Sequence, residues 1–459
     1  MKSSRAEIRS TVHKIPRLRF ESGQRLTSYA GLVVFQHLFR VLDFRNRLRS
    51  CFEHMATETH AVFPTASIVL LLVVHLILGF RRLRGLDFYR HDPLVARVVG
   101  LRRLPDVSTV SRALSAVDER GVQKVRALNR QLVLDRLRSE RFARLTMDFD
   151  GSVQSSKGHA EGTAVGFNKV KKGARSYYLL LCTVAQTSQL FDMHHRPGNV
   201  HDSNGAADFM RRCFDEVGVL NTKLEARMDS AFYDQHLLAQ LDGRGVEFSC
   251  SVPFLRFPEL KRIVENQSVW QVMDREWSFF ALKWKPKSWN RRYRLLCLRR
   301  RVRRQQKGPL QLDLFEPRSF EYEYKVIVTN KTGTAKSVLA FHNGRGTQEK
   351  IFGEAKQHSG LDLVATRTLH GNQIFTMASL LSHNLGRELQ MQAVPRQRGT
   401  LSKRPASWRF DQLGTIRQRI LHLAGRLSRP QGELTMSVSD NPAVRKELEK
   451  YLPQSRIAA

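Results

Sequence analysis

The sequence predicts a mixed α/β protein with a helical N-terminal region, and three observations support this. Residues from about 145 to 252 repeat an order of strand, acid and helix. Before them, Leu26 to about Glu140 places apolar residues at three- and four-residue spacing, the period of helices. After them, about Phe254 to Leu339 gives up that order for short β-type runs. The expected organisation is a helical N-terminal DNA-binding region over 1–140 and a mixed-sheet domain over 141–395. That domain carries a β-rich insertion at about 254–339, and a basic C-terminal tail follows over 396–459.

Charge narrows the partner. The 459 residues hold 76 Lys plus Arg against 42 Asp plus Glu, a formal net charge of +34. Such an excess suits a polyanion, nucleic acid first and an anionic membrane surface second. The five cysteines form no CxxC pair, which argues against zinc ribbons and disulfide frameworks and fits a reducing compartment. The N-terminus is basic but lacks the apolar core of a secretory signal. The most apolar run, Ala66 to Phe80, is 15 residues long and contains His75, which suits a buried helix better than a membrane span. The expectation is a cytoplasmic protein without a membrane partner.

Along the chain, LPDVSTVSRALSAV (Leu104 to Val117) opens with a Pro-Asp helix start. Ser108, Thr109, Ser111 and Arg112 fall on its first turns, where short hydroxyls and Arg suit DNA contact or simply a capped helix. LTMDFDGS alternates strictly, so Asp148 and Asp150 share a strand face about 7 Å apart. Such a pair is either an exposed polar face or a hard-metal ligand set. SYYLLLCTVA (Ser176 to Ala185) reads as a central strand. His194, His195 and His201 read as loop histidines, because no acid or Cys completes a zinc spacing, and a helix is expected from near Asp202. Asp229 ends a strand, where it serves as a helix N-cap or as a site residue.

The β-rich insertion holds Trp270, Trp277, Trp284 and Trp289. From Lys283 to Lys307 there are 12 Lys or Arg and no acid. Cations such as Arg299, Arg300 and Arg301 suit phosphate neutralisation, and Trp284 and Trp289 suit base stacking. The alternative is a solvated basic sheet with Trp in a small core. Phe341 to Gln357, read as one helix, puts His342, Arg345, Glu349 and Lys356 within roughly 60° of arc. From Pro395 the chain turns Arg-, Pro- and Gly-rich, and a short helical tail on the surface is expected.

Together these residues resemble DDE transposases. Asp150 followed by Gly-Ser, Asp229 at a strand end and Glu349 on a helix are similar to that family's acidic triad. The last helix resembles the Tyr-Arg-Glu-Lys signature of a bacterial insertion-sequence superfamily, with His342 in place of Tyr and a match at Arg345, Glu349 and Lys356. LPDVSTVSR and the RPGN segment (Arg196 to Asn199) extend the likeness. The resemblance implies an RNase H-like core with an insertion between the second and third acids. It implies Asp150, Asp229 and Glu349 as catalytic and metal-binding residues, with Asp148 as a competing ligand. It further implies Mg²⁺, with Mn²⁺ substituting, and phosphate contacts from His342, Arg345 and Lys356. The implied partner is double-stranded DNA, both element terminal repeats and target, bound by a homodimer in the bacterial nucleoid. A metal nuclease of the same core without strand transfer and a non-enzymatic DNA-binding protein are the alternatives.

Overall fold

The structure, a computed structural model, describes residues 15, 17, 18 and 25–453, except 56–60, 167, 169–170, 202–203, 302–321 and 400–405. The basic N-terminal stretch, the expected helix start near Asp202 and the cations beyond Arg301 fall wholly or mainly outside the described residues.

A short strand β1 (Leu26–Thr27) leads into six helices: α1 (Val33–Val41), α2 (Phe44–Ser50), α3 (Thr65–Leu78), α4 (Pro93–Val99), α5 (Val107–Ser115) and α6 (Glu119–Glu140). The apolar run forms α3, which is buried almost from end to end because other helices surround it. Among the described residues, no helix is long and apolar enough to cross a membrane. The expected start of α5 holds, since Asp106 accepts the Thr109 N–H at 2.7 Å as its N-cap. Val110 and Leu114 of α5 are buried, while Ser108 and Arg112 face solvent.

The mixed sheet begins with β2 (Arg144–Ser155), β3 (Ala164–Val165), β4 (Arg175–Val184) and β5 (Gln189–Pro197). The chain continues through α7 (Ala206–Gly218), β6 (Lys223–Met228), α8 (Gln235–Gly243), β7 (Glu247–Ser251) and α9 (Pro258–Glu265). The β-rich segment supplies β8 (Gln271–Val272), β9 (Trp277–Trp284), β10 (Tyr293–Arg301) and β11 (Tyr322–Thr329). All ten strands join one sheet in the order β3-β4-β2-β6-β7-β11-β10-β9-β8, with β5 also on β4. β2 is antiparallel to β4 and parallel to β6, and β6 is parallel to β7. The β-rich segment therefore forms no sheet of its own. Its strand β11 pairs antiparallel with β7 and extends the sheet beyond it.

Alternation gives the central strands two different faces. Leu145, Met147 and Phe149 of β2, with Ala226, Met228, Phe248 and Cys250 beside them, point into a core closed by Phe209, Phe214, Leu237 and Leu238 of α7 and α8. The opposite face is polar along β2, β6 and β7. After the sheet come α10 (Ala335–Asn343), α11 (Gly346–Ser359) and α12 (Leu369–Ala393). α12 is buried along most of its length and shares one core with the N-terminal helices.

Two expectations change. His194 and His195 lie on β5, not in a loop, and the His195 ring packs on Tyr177 with centroids 4.2 Å apart. The C-terminal segment does not begin as a surface arm. Leu413 and Ile416 of α13 (Leu413–Ile416), together with Ile420 and Leu421, are buried against the helical region. The buried Arg417 donates to the carbonyls of Leu76, Ile77 and His358, so a cation closes the C-terminus of α3. Beyond it, β12 (Gly425–Ser428) pairs with β1 and with β13 (Thr435–Val438), before α14 (Pro442–Glu449). Sequence reasoning misses this because Arg-rich composition hides the spacing of four apolar residues.

Buried histidines make the fold acid-sensitive. His75 Nε2 donates to the Arg82 carbonyl at 3.0 Å, so Nδ1 accepts from the Tyr89 hydroxyl at 2.6 Å and the ring is neutral. Burial lowers His75 to about 4, and burial with Arg387 nearby lowers His383 to about 4. Between there and the ordinary value near 6.5, the unfolded chain takes up protons that the folded chain refuses. Stability is therefore full above about pH 6.5 and falls as the pH drops towards 4, by roughly 1.4 kcal/mol per unit for each histidine. Urea unfolding at pH 7 and pH 5 is expected to show a loss of several kcal/mol; equal midpoints would contradict these assignments.

Candidate active site

The polar face of the sheet is built in rungs. Thr146 of β2 is level with Glu225 of β6, which is level with Glu247 of β7. One rung further, Asp148 is level with Arg227, and Arg227 with Ser249. Continued in step, the next rung holds Asp150, Asp229 and Ser251. Side-chain period two puts all of them on the same face. The sequence shows this pattern as KLEARMD, where Lys223, Glu225, Arg227 and Asp229 alternate with apolar residues.

The first rungs are closed by ion pairs. Arg144 reaches Glu225 at 2.8 Å and Glu247 at 2.9 Å, and Lys331 pairs with the same two acids. The second rung is closed more tightly. Arg227 forks onto Asp148, with Nε to Oδ1 at 2.5 Å and Nη2 to Oδ2 at 2.7 Å, and both residues are at most 2% exposed. Burial pushes the Asp148 carboxyl up, against the pull of Arg227 and Arg345. Asp148 is thus a buried structural acid with both oxygens taken, which corrects its assignment as a competing metal ligand.

The third rung is open. Asp150 is half-buried, and its Oδ2 accepts from Arg345 Nη1 at 3.0 Å. Asp229 follows the last residue of β6 and does act as an N-cap, its Oδ1 accepting the Ala231 N–H at 2.9 Å. Glu349 is exposed, one helical turn after Arg345. Its neighbour Gln348 is buried and donates to the Asp148 carbonyl at 2.9 Å, which docks this turn of α11 onto β2. Lys356 is half-buried two turns beyond Glu349 on the same helix face.

The helix expected over Phe341 to Gln357 is interrupted by one tight turn, although Gly344 and Arg345 keep right-handed helical angles. α10 ends at Asn343, and α11 starts at Gly346, after Gly344 and Arg345. His342 therefore belongs to α10 and points into the sheet. Its ring nitrogens stand 3.0 Å from the hydroxyls of Ser249 and Ser251, and it is 2% exposed. Burial, with Lys325, Arg345 and Arg227 nearby, lowers its pKa well below the ordinary value. A buried neutral imidazole makes no phosphate contact, so that expectation is corrected.

The insertion residues divide. Trp284 is buried, its ring edge-on to Phe257 at 5.5 Å, and is a core residue that cannot stack on a base. Trp289 is half-buried and stacks on Tyr233 at 4.6 Å. Arg299 lies between the rings of Trp270 and Tyr322, 4.5 Å from each centroid. Arg300 pairs with Glu323 at 2.6 Å, and Arg301 is exposed at the end of β10.

The donors on the open rung are carboxylate oxygens, the chemistry that suits a hard divalent cation. A guanidinium already stands at Asp150, where a positive charge is favoured. Among the described residues, no three His, Cys, Asp or Glu side chains converge into a formed metal site. The fit is thus one of donor type and placement on the face.

Among solved structures, the chain is similar to a piggyBac transposase synaptic complex with hairpin DNA, at 11% identity and TM-score 0.45, covering 92% of this chain and 82% of that one. It is also similar to a Mos1 transposase paired-end complex with left transposon end, at 12% identity and TM-score 0.17, covering 36% and 56%. A pre-cleavage Mos1 transpososome gives 10% identity and TM-score 0.16, covering 36% and 57%. No curated protein matches the chain. The model of the family described as transposase DDE domain group 1 matches residues 12–457, nearly the whole length, and the chain belongs to that family.

Proposed function

We propose that this protein is a transposase that cuts DNA at the ends of its element and joins them to a target by phosphoryl transfer. The observation that carries this reading is the contact from Arg345 to Asp150 Oδ2 at 3.0 Å, made from the turn before α11, which the bond from Gln348 to the Asp148 carbonyl docks on β2, while Asp229 follows the last residue of the neighbouring parallel strand. The order β5-β4-β2-β6-β7, with only β4 antiparallel to its inner neighbours, supports an RNase H-like core. Family membership supports the reaction class. The charge of +34 supports double-stranded DNA as the partner; its binding by a homodimer, and an origin in a bacterial insertion sequence, are part of the same proposal.

Asp150, Asp229 and Glu349 would hold Mg²⁺ or Mn²⁺, and a bound pair of such ions supplies an activated attacking oxygen and charge on the leaving oxygen. The chain's own residues do the rest. Arg345 neutralises Asp150 in the free protein and is free to turn to a phosphate when that carboxylate is otherwise engaged. Lys356, on the same helix face, adds a second cation along the phosphate path. The domain division expected from the sequence, with DNA contacts from the helical region and the insertion, belongs to the same proposal.

Asp229→Ala and Glu349→Ala are expected to abolish Mg²⁺-dependent cleavage of element-end DNA while leaving its binding within about twofold. Full cleavage by either variant would remove the assignment. Of the first pair of acids, Asp150→Ala should fold normally and be inactive. Asp148→Ala should instead be destabilised by about 3–5 kcal/mol, because it strands the buried Arg227 charge; a stable, inactive Asp148→Ala with an active Asp150→Ala would reverse the choice. Replacing Arg299, Arg300 and Arg301 by Ala should lower the salt slope of DNA binding by about one for each phosphate that is no longer neutralised. Binding unchanged across a salt titration would show that this surface does not meet DNA.

A further inference from the structure

Arg227 takes part in none of the chemistry above, yet it joins three elements around that chemistry, β6, β2 and the end of α10. Its own strand β6 leads directly to Asp229. Its fork holds Asp148, two residues before Asp150 on β2. Its remaining nitrogen, Nη1, donates to the Phe341 carbonyl at 3.1 Å, and its plane lies over the Phe341 ring at 5.4 Å. That carbonyl belongs to the last turn of α10, where it also accepts the Gly344 N–H at 3.1 Å and where the helix dipole favours a cation.

Directly beyond is the break between α10 and α11. A Cβ built on Gly344 would run into Arg227 Nη1, so the close approach of this guanidinium requires glycine there. Gly344 is not among the residues of positive φ, so contact and not backbone conformation sets the requirement. Arg345, which reaches Asp150, is the next residue, and Glu349 lies one turn later.

We propose that Arg227 is a positioning residue: by capping α10 and filling the space at Gly344, it fixes the turn from which Arg345 reaches Asp150 and after which Glu349 follows. This inference rests on the phosphoryl-transfer reading of the open rung. It assigns Arg227 no contact with DNA or metal. A displaced Arg227 leaves the carboxylates intact but misplaces the turn that completes the set, as with other groups that orient a site from behind.

The test uses Gly344→Ala, which leaves the Arg227–Asp148 pair in the sequence, and Arg227→Lys, which keeps the charge but loses the fork. Gly353→Ala on α11 is the control, because a Cβ there meets nothing within 4 Å. The readouts are thermal melting, metal-free affinity for element-end DNA, Mn²⁺ affinity by electron paramagnetic resonance and single-turnover cleavage. Gly344→Ala, which displaces the Arg227 guanidinium, is expected to melt below the wild type but to stay folded at the assay temperature and to bind DNA within about twofold. It should bind Mn²⁺ and cleave roughly tenfold or more weakly, in the range for groups that orient metal ligands. Arg227→Lys should show the same split, and Gly353→Ala should match the wild type. Wild-type Mn²⁺ affinity and cleavage in Gly344→Ala would overturn the proposal. So would losses that match the unfolded fraction in both variants, which is the mark of a purely structural role. A wild type that neither binds Mn²⁺ nor cleaves would instead remove the proposed function itself.

Discussion

The structure depends on one buried ion pair, Asp148 with Arg227. Burying two charges costs several kcal/mol per ion, and attraction offsets this only when geometry and the remaining hydrogen bonds are complete. Here they nearly are. The guanidinium fork matches the carboxylate, and the third nitrogen finds a helix-end carbonyl. The Asp148 backbone carbonyl is taken by Gln348. Two strands and two helices therefore meet at a single polar contact with little room for adjustment. An apolar substitute would pack the same space but would not select one arrangement of α10 and α11 over its neighbours.

The pair also marks a gradient along one sheet face. Towards the start of β2, the acids are matched by Arg144 and Lys331, and the ladder is closed. At the pair itself the match is buried. At Asp150 the carboxylate is half-buried and accepts from Arg345 and from the Gly151 N–H. The acids along this face thus pass from exposed and part-buried pairs, through one fully buried pair, to a half-buried pair at the strand end.

Much of this is legible in the sequence, and the limits have physical causes. Strand alternation around Asp150 and Asp229 is readable because one face of each strand is purely apolar. In sequence, the choice of Asp150 over Asp148 rests on the following Gly-Ser; the structure adds that both oxygens of Asp148 are held by Arg227. That partner is visible as a charged residue of the right parity in KLEARMD, but pairing between strands far apart in sequence is not local information. The break at Gly344 is hidden for the same cause, since it depends on a guanidinium more than a hundred positions earlier. His342 is misplaced with it, because the break assigns that residue to a different helix. Trp284 misleads because basic neighbours on the exposed face of β9 conceal an apolar partner on the other.

The way in which the β-rich segment joins the sheet has a consequence for the evolution and engineering of such chains. β7 is the last strand of the central parallel set, and β11 covers its outer side through residues Ser249 to Ser251. An ancestor or truncated variant without the segment would present that side as bare backbone donors and acceptors, a template for another chain. With the segment in place, the outermost strand is β8, only two residues long. The segment thus moves the open edge of the sheet away from the central parallel strands, to β9 and β8. β11 cannot be lost without exposing the outer side of β7.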